Sequence, residues 1–131
     1  MIQYLLRAQL RPFLCYNDTM KILENPIKKS ELLEKCDVVF DEIMVKGAVD
    51  TKKRLLAIDA ELHADLEQFL LENGSSQEDL WGINLYPDED EDFLEFDSMI
   101  NIRPRQNNRS RTVESSETRQ KITEIVEKWI R

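Results

Sequence analysis

Apolar residues in this chain switch between two spacings, and that switch constrains the fold more than any other feature. Leu56, Ile58, Ala60 and Leu62 recur at every second position, the period of a strand with one buried face. Leu66, Phe69 and Leu70 follow at helical spacing, and Gly74 supplies a left-handed stop. Asp65 with Gln68 three residues on makes a capping-box pattern for that helix. Upstream, Ser30 can cap a helix whose apolar stripe is Leu32, Leu33, Cys36, Val39, Phe40, Ile43 and Met44. Val45 to Asp50 reads as a strand, Thr51 to Lys53 as a turn, and Arg54 to His63 as the second strand. Trp81 to Tyr86 is a third strand ended by Pro87, the acidic run from Asp88 to Asp92 a hairpin tip, and Phe93 to Arg103 the longest strand, closed by Pro104. Ser115 or Ser116 caps a last helix with Ile122, Ile125, Val126, Trp129 and Ile130 on its apolar face.

The order α-ββ-α-ββ-α predicts an α+β domain: a four-stranded, mostly antiparallel sheet with three helices, mainly on one face. The length, 131 residues, suits a single domain, placed here at residues 20–131. Residues 1–19 form a separate extension, apolar but broken by Arg7, Arg11 and Pro12, and a poor signal peptide. Two readings stand: an arm packing Tyr4, Leu5, Leu6, Phe13 and Leu14 onto the domain, or an upstream start assignment ahead of a biological start at Met20.

The chain carries 26 acidic against 18 basic residues, a net charge of −8, which argues against nucleic acid or an anionic membrane as partner. No apolar run is long enough to span a bilayer. Cys15 and Cys36 have no metal-like spacing, and a single histidine removes His-pair chemistry. A reducing, cytoplasmic setting is expected, with no cofactor indicated and catalysis left open.

Alternation gathers polar groups opposite the apolar sheet face: Glu61 and His63 with Asp59, Asn84 and Tyr86, then Glu95, Asp97, Asn101 and Arg103. One reading is a solvated face. The other is a polar site, because the group is short and directional and contains no lysine. Its carboxylates and imidazole suit a cation or a general base, although no metal motif of known spacing is present. The loop from Arg103 to Arg111 holds four arginines and no lysine, and it feeds a helix N-terminus. Arg105, Asn107, Asn108, Arg109 and Arg111 are the candidate anion-binding residues, since the guanidinium fork grips carboxylate or phosphate at two points. The same arginines could instead pin the loop through Glu95, Asp97 or Glu114.

Four stretches, AELHAD (60–65), LLENGSSQEDLWGINLYP (70–87), EFDSMINIRP (95–104) and NNRSR (107–111), resemble an uncharacterised family of short bacterial proteins, common in cyanobacteria, that carries only a domain-of-unknown-function label. The resemblance runs from about Met20 to the end and implies no activity, cofactor or catalytic residue. The expected function is therefore small-anion binding by the arginine loop beside the polar face. The alternative is a non-catalytic interaction or regulatory module, homodimeric, anchored by Tyr86, Met99 and Arg103.

Overall fold

A nine-residue strand, β3 (Glu42–Asp50), is the spine of the sheet. The structure is a computed structural model that describes residues 20–34, 37–39 and 42–131. The extension 1–19, Cys36 and Phe40 lie outside the described residues, and so do the expectations attached to them. Around β3 the antiparallel order is β1 (Lys21–Ile22), β4 (Leu55–Ile58), β3, β5 (Leu80–Leu85) and β6 (Leu94–Glu95). A further short strand, β2 (Asp37–Val39), pairs with the start of β3. Among the described residues there are three α-helices: α1 (Lys29–Glu34), α2 (His63–Glu72) and α3 (Ser116–Trp129). The α+β class, the three helices and the antiparallel sheet match expectation, with one more strand in the main sheet.

Register sorts the strands' side chains into two cores. Val45 and Val49 of β3, Leu56 and Ile58 of β4, and Trp81, Ile83 and Leu85 of β5 pack with Ile122, Ile125, Val126 and Trp129 of α3. The intervening positions, Ala48, Ala57 and Leu80, pack with Leu66 and Leu70 of α2 and with Met20. Helices therefore cover both faces, which corrects the expectation of one. The small side chains Ala48 and Ala57 let α2 lie close on the second face, and it leaves the β5–β6 end of that face uncovered.

Three element boundaries also differ from expectation, each for a local reason. The first helix stops at Glu34, and Ser30 lies inside it rather than capping it. Val38, Val39, Ile43 and Val45 are β-branched, and their strand preference overrides a spacing that fits either period. The second strand ends at Ile58 because Asp59 turns to a φ of 78°. His63 consequently opens α2, with Leu62 at the N-cap position offering no side-chain cap. Gln68 bonds Glu72 one turn on instead of closing a capping box around Asp65. Gly74 does stop this helix, at a φ of 97°, and Ser115 caps α3 by accepting from Thr118 N–H at 3.2 Å.

The third difference concerns the predicted strand from Phe93 to Arg103. Only Leu94 and Glu95 are strand, and the chain then folds into short 3-10 turns at Met99–Asn101 and Pro104–Gln106. The outer edge of β5 is nonetheless closed. Tyr86 N–H donates to Phe93 O at 2.8 Å, and Asn84 pairs with Glu95. Beyond that point side chains replace the missing strand. Gly82 N–H donates to Asn101 Oδ1 at 2.8 Å, and Asn101 Nδ2 returns a bond to Gly82 O at 3.0 Å. Arg103 donates through Nη2 to Leu80 O, through Nη1 to Gln77 O at 2.6 Å and through Nε to Ile100 O at 3.0 Å. Its guanidinium also meets Glu67 at 3.3 Å and lies 5.0 Å from the Trp81 ring centre. Gly82 is required there, because a Cβ would fall 2.6 Å from Ser98 Cβ.

Asn101→Leu should therefore destabilise the fold by about 3 kcal/mol in urea melts, since it strands a buried N–H and a buried C=O together. Gly82→Ala should cost about 2 kcal/mol by overpacking against Ser98. Wild-type stability in either variant would contradict this closure of β5.

Candidate functional site

The early end of β6 and the early start of α2 leave a hollow of about 470 Å³ on the second sheet face. Its floor is Lys46 and Asn84, directly opposite one another on β3 and β5. The first turn of α2, Leu62 to Ala64, forms one wall, and Asp97 to Ile100 with Arg111 forms the other.

His63 reaches the sheet and places Nε2 at 2.7 Å from Ile83 O. A carbonyl only accepts, so Nε2 carries the hydrogen and Nδ1 is the basic nitrogen of the neutral ring. Burial pushes the imidazole below its ordinary pKa of 6.5. The Ile83 bond opposes that shift, the Lys46 charge adds to it, and Asn84 and Asp97 also favour the protonated ring.

Asn84 is 5% exposed and organises the carboxylates. Its Nδ2 donates to Glu95 Oε1 at 2.8 Å and to Asp97 O at 3.2 Å. Tyr86 OH donates to the same Glu95 oxygen at 2.9 Å. Asn84 Oδ1 is buried without a hydrogen-bond partner of ordinary geometry among the described residues. Asp97 Oδ1 accepts from Arg111 Nε at 2.6 Å. Two carboxylates, one lysine and one arginine thus face a neutral imidazole in one hollow.

The structure brings together His63, Asn84, Tyr86, Glu95, Asp97 and Arg111 of the sequence candidates. It separates the others. Glu61 is exposed on the bend before α2. Asn101 and Arg103 are buried in closing β5, so neither belongs to an open polar face, and Arg103 is no interface anchor. Asn107 adopts a left-handed φ of 60° in the loop. Asn108, 3% exposed, knits the loop through Nδ2 to Asn101 O and Thr112 O, each at 2.7 Å, while its Oδ1 accepts from Glu114 N–H at 2.8 Å. The side chains of Arg105 and Arg109 are exposed away from the hollow.

The backbone donors of the arginine loop from Gln106 to Ser110 are already taken. Glu114 Oε2 accepts from Arg109 N–H at 2.7 Å and from Ser110 N–H and Oγ at 3.0 Å. Those bonds hold the Glu114 carboxyl below its usual pKa. The loop thus carries its own carboxylate where an external anion was expected, and only Arg111 extends to the polar face.

Sequence reasoning missed Lys46 and Leu62 at this site, and it offered Met99 only as an interface anchor. Lys46 corrects the expectation of a lysine-free face, and its alternation with Ala48 was the available signal. Leu62 and Met99 are 58% and 66% exposed and flank the hollow. Among the described residues no group of three or more His, Cys, Asp or Glu side chains is placed to hold a metal ion. No helix among them is long and apolar enough to cross a membrane.

A family model described as a protein of unknown function, DUF5674, matches residues 21–129, and the chain belongs to that family. No curated protein and no solved structure matches it.

The depressed His63 pKa has a testable sign. Between the folded value and 6.5, the unfolded chain binds a proton that the folded chain refuses. Urea-melt stability should accordingly fall as pH drops below about 6.5, and His63→Gln should flatten that part of the profile. An unchanged profile in the variant would contradict a part-buried, neutral His63.

Proposed function

We propose that this family member binds a small anion, a carboxylate or monophosphate, in the hollow beside the start of α2. The observation that carries the reading is the convergence of Lys46, Arg111 and an uncapped first helical turn on one open hollow. A helix start offers unpaired N–H groups and the positive end of the helix dipole. Arg111 spends Nε on Asp97, which fixes the guanidinium plane and leaves its two Nη groups for a ligand. Glu95 and Asp97 offset the two cations, so the hollow suits one anionic group and not a polyanion. A net charge of −8 points the same way.

The test is thermal unfolding of the full chain with acetate, succinate and inorganic phosphate. A ligand at a hundred times its dissociation constant stabilises by about 2.7 kcal/mol, a rise of about 10 °C for a domain of this size. Arg111→Gln and Lys46→Met should abolish the rise, and Arg105→Gln should keep it. A rise lost in Arg105→Gln or Arg109→Gln but kept in Arg111→Gln would move the site to the arginine loop, and a flat panel would reject anion binding.

A further inference from the structure

Resting on that reading, we propose that the ligand is a zwitterion with an apolar tail, a free α-amino acid of the leucine or methionine kind. The carboxylates in the hollow are fixed in place. Glu95 is held by Asn84 and Tyr86 at 2.8 and 2.9 Å, and Asp97 by Arg111 at 2.6 Å. A simple anion held by Lys46 and Arg111 shares the hollow with both carboxylates, and that like charge weakens its binding. An ammonium two bonds from the carboxylate turns that repulsion into pairing, so one small molecule satisfies both walls.

A further observation points to the same chemistry. Leu62 and Met99, 58% and 66% exposed, are the most exposed large hydrophobics among the described residues, and both border this hollow. An aliphatic side chain lying across them removes apolar surface from water on both partners. Methionine adapts its shape to such a tail. The hollow, about 470 Å³, is of the size that small-molecule sites usually have.

Calorimetric titration of the full chain separates the parts. The probes are leucine, 4-methylpentanoate (no ammonium), 3-methylbutylamine (no carboxylate), glycine (no tail) and inorganic phosphate. Leucine should bind tightest, and each deletion should weaken binding by about tenfold or more, the worth of one charge-assisted contact or one buried aliphatic group. Glu95→Gln should bring leucine down to 4-methylpentanoate, and the exposed-residue pair Leu62→Ser with Met99→Ser should bring it down to glycine. If 4-methylpentanoate or phosphate binds as tightly as leucine and needs Arg111, the zwitterion is wrong and the anion site stands. Glycine binding as tightly as leucine overturns the apolar tail. Tightest binding by the amine, or no binding by any probe, overturns both.

Discussion

The two hydrogen bonds between the Asn101 amide and the backbone of Gly82 are the constraint on which the rest of the structure depends. β5 is buried at every position from Leu80 to Leu85, so each polar group on its outer edge needs a partner inside the protein. β6 supplies partners for only two residues. A primary amide presents one donor and one acceptor side by side, as a strand backbone does, and Asn101 uses both on Gly82. Arg103 extends the substitution to Leu80 and ties the same edge to Gln77 and Glu67. The edge is thus closed to pairing with another chain without a full-length strand.

That substitution shapes the hollow. A full strand from Phe93 to Arg103 would have run alongside β5 as a flat extension of the sheet. The chain instead leaves after Glu95 and returns through Ser98 and Asn101, and Asp97 to Ile100 rise as a wall opposite the first turn of α2. The wall cannot drift. Ser98 N–H bonds Arg111 O at 3.0 Å, Asn101 Nδ2 bonds the same oxygen at 3.0 Å, and Gly82 leaves only the room that Ser98 fills. Arg111 is carried into the hollow by the segment that Asn101 and Asn108 pin. Rigid support on one side and a helix start on the other give a pre-organised site, which lowers the cost of ordering on binding.

Much of this was legible in the sequence. Ser115 with the stripe from Ile122 to Trp129, the stop at Gly74, the strand beginning near Trp81 and the acidic tip each followed from local chemistry that the fold does not override. Five of the nine polar-face candidates, His63, Asn84, Tyr86, Glu95 and Asp97, do gather at one place. His63 arrives by another route than the strand assigned to it, because Asp59 takes a left-handed φ that an aspartate tolerates but does not announce. The stretch from Leu32 to Met44 fits both periods, and the pairing of β2 with the start of β3 decides for strand from Asp37 onward. Asn101 and Arg103 alternate correctly for a polar face, yet they are among the most buried polar residues. Alternation records which side chains differ from their neighbours. It carries no sign that a side chain will do the work of a backbone, or that Glu114 will fill the loop's own donors.

Amide hydrogen exchange at Gly82 tests the central claim most directly. Gly82 N–H should be protected to the same degree as the β3–β5 ladder amides at Val49 and Ile83, and Asn101→Ala should release Gly82 while those amides fall only by the global loss of stability. Fast exchange at Gly82 in the unmodified chain, or protection that survives Asn101→Ala, would contradict closure of β5 by side chains and with it the basis of the hollow.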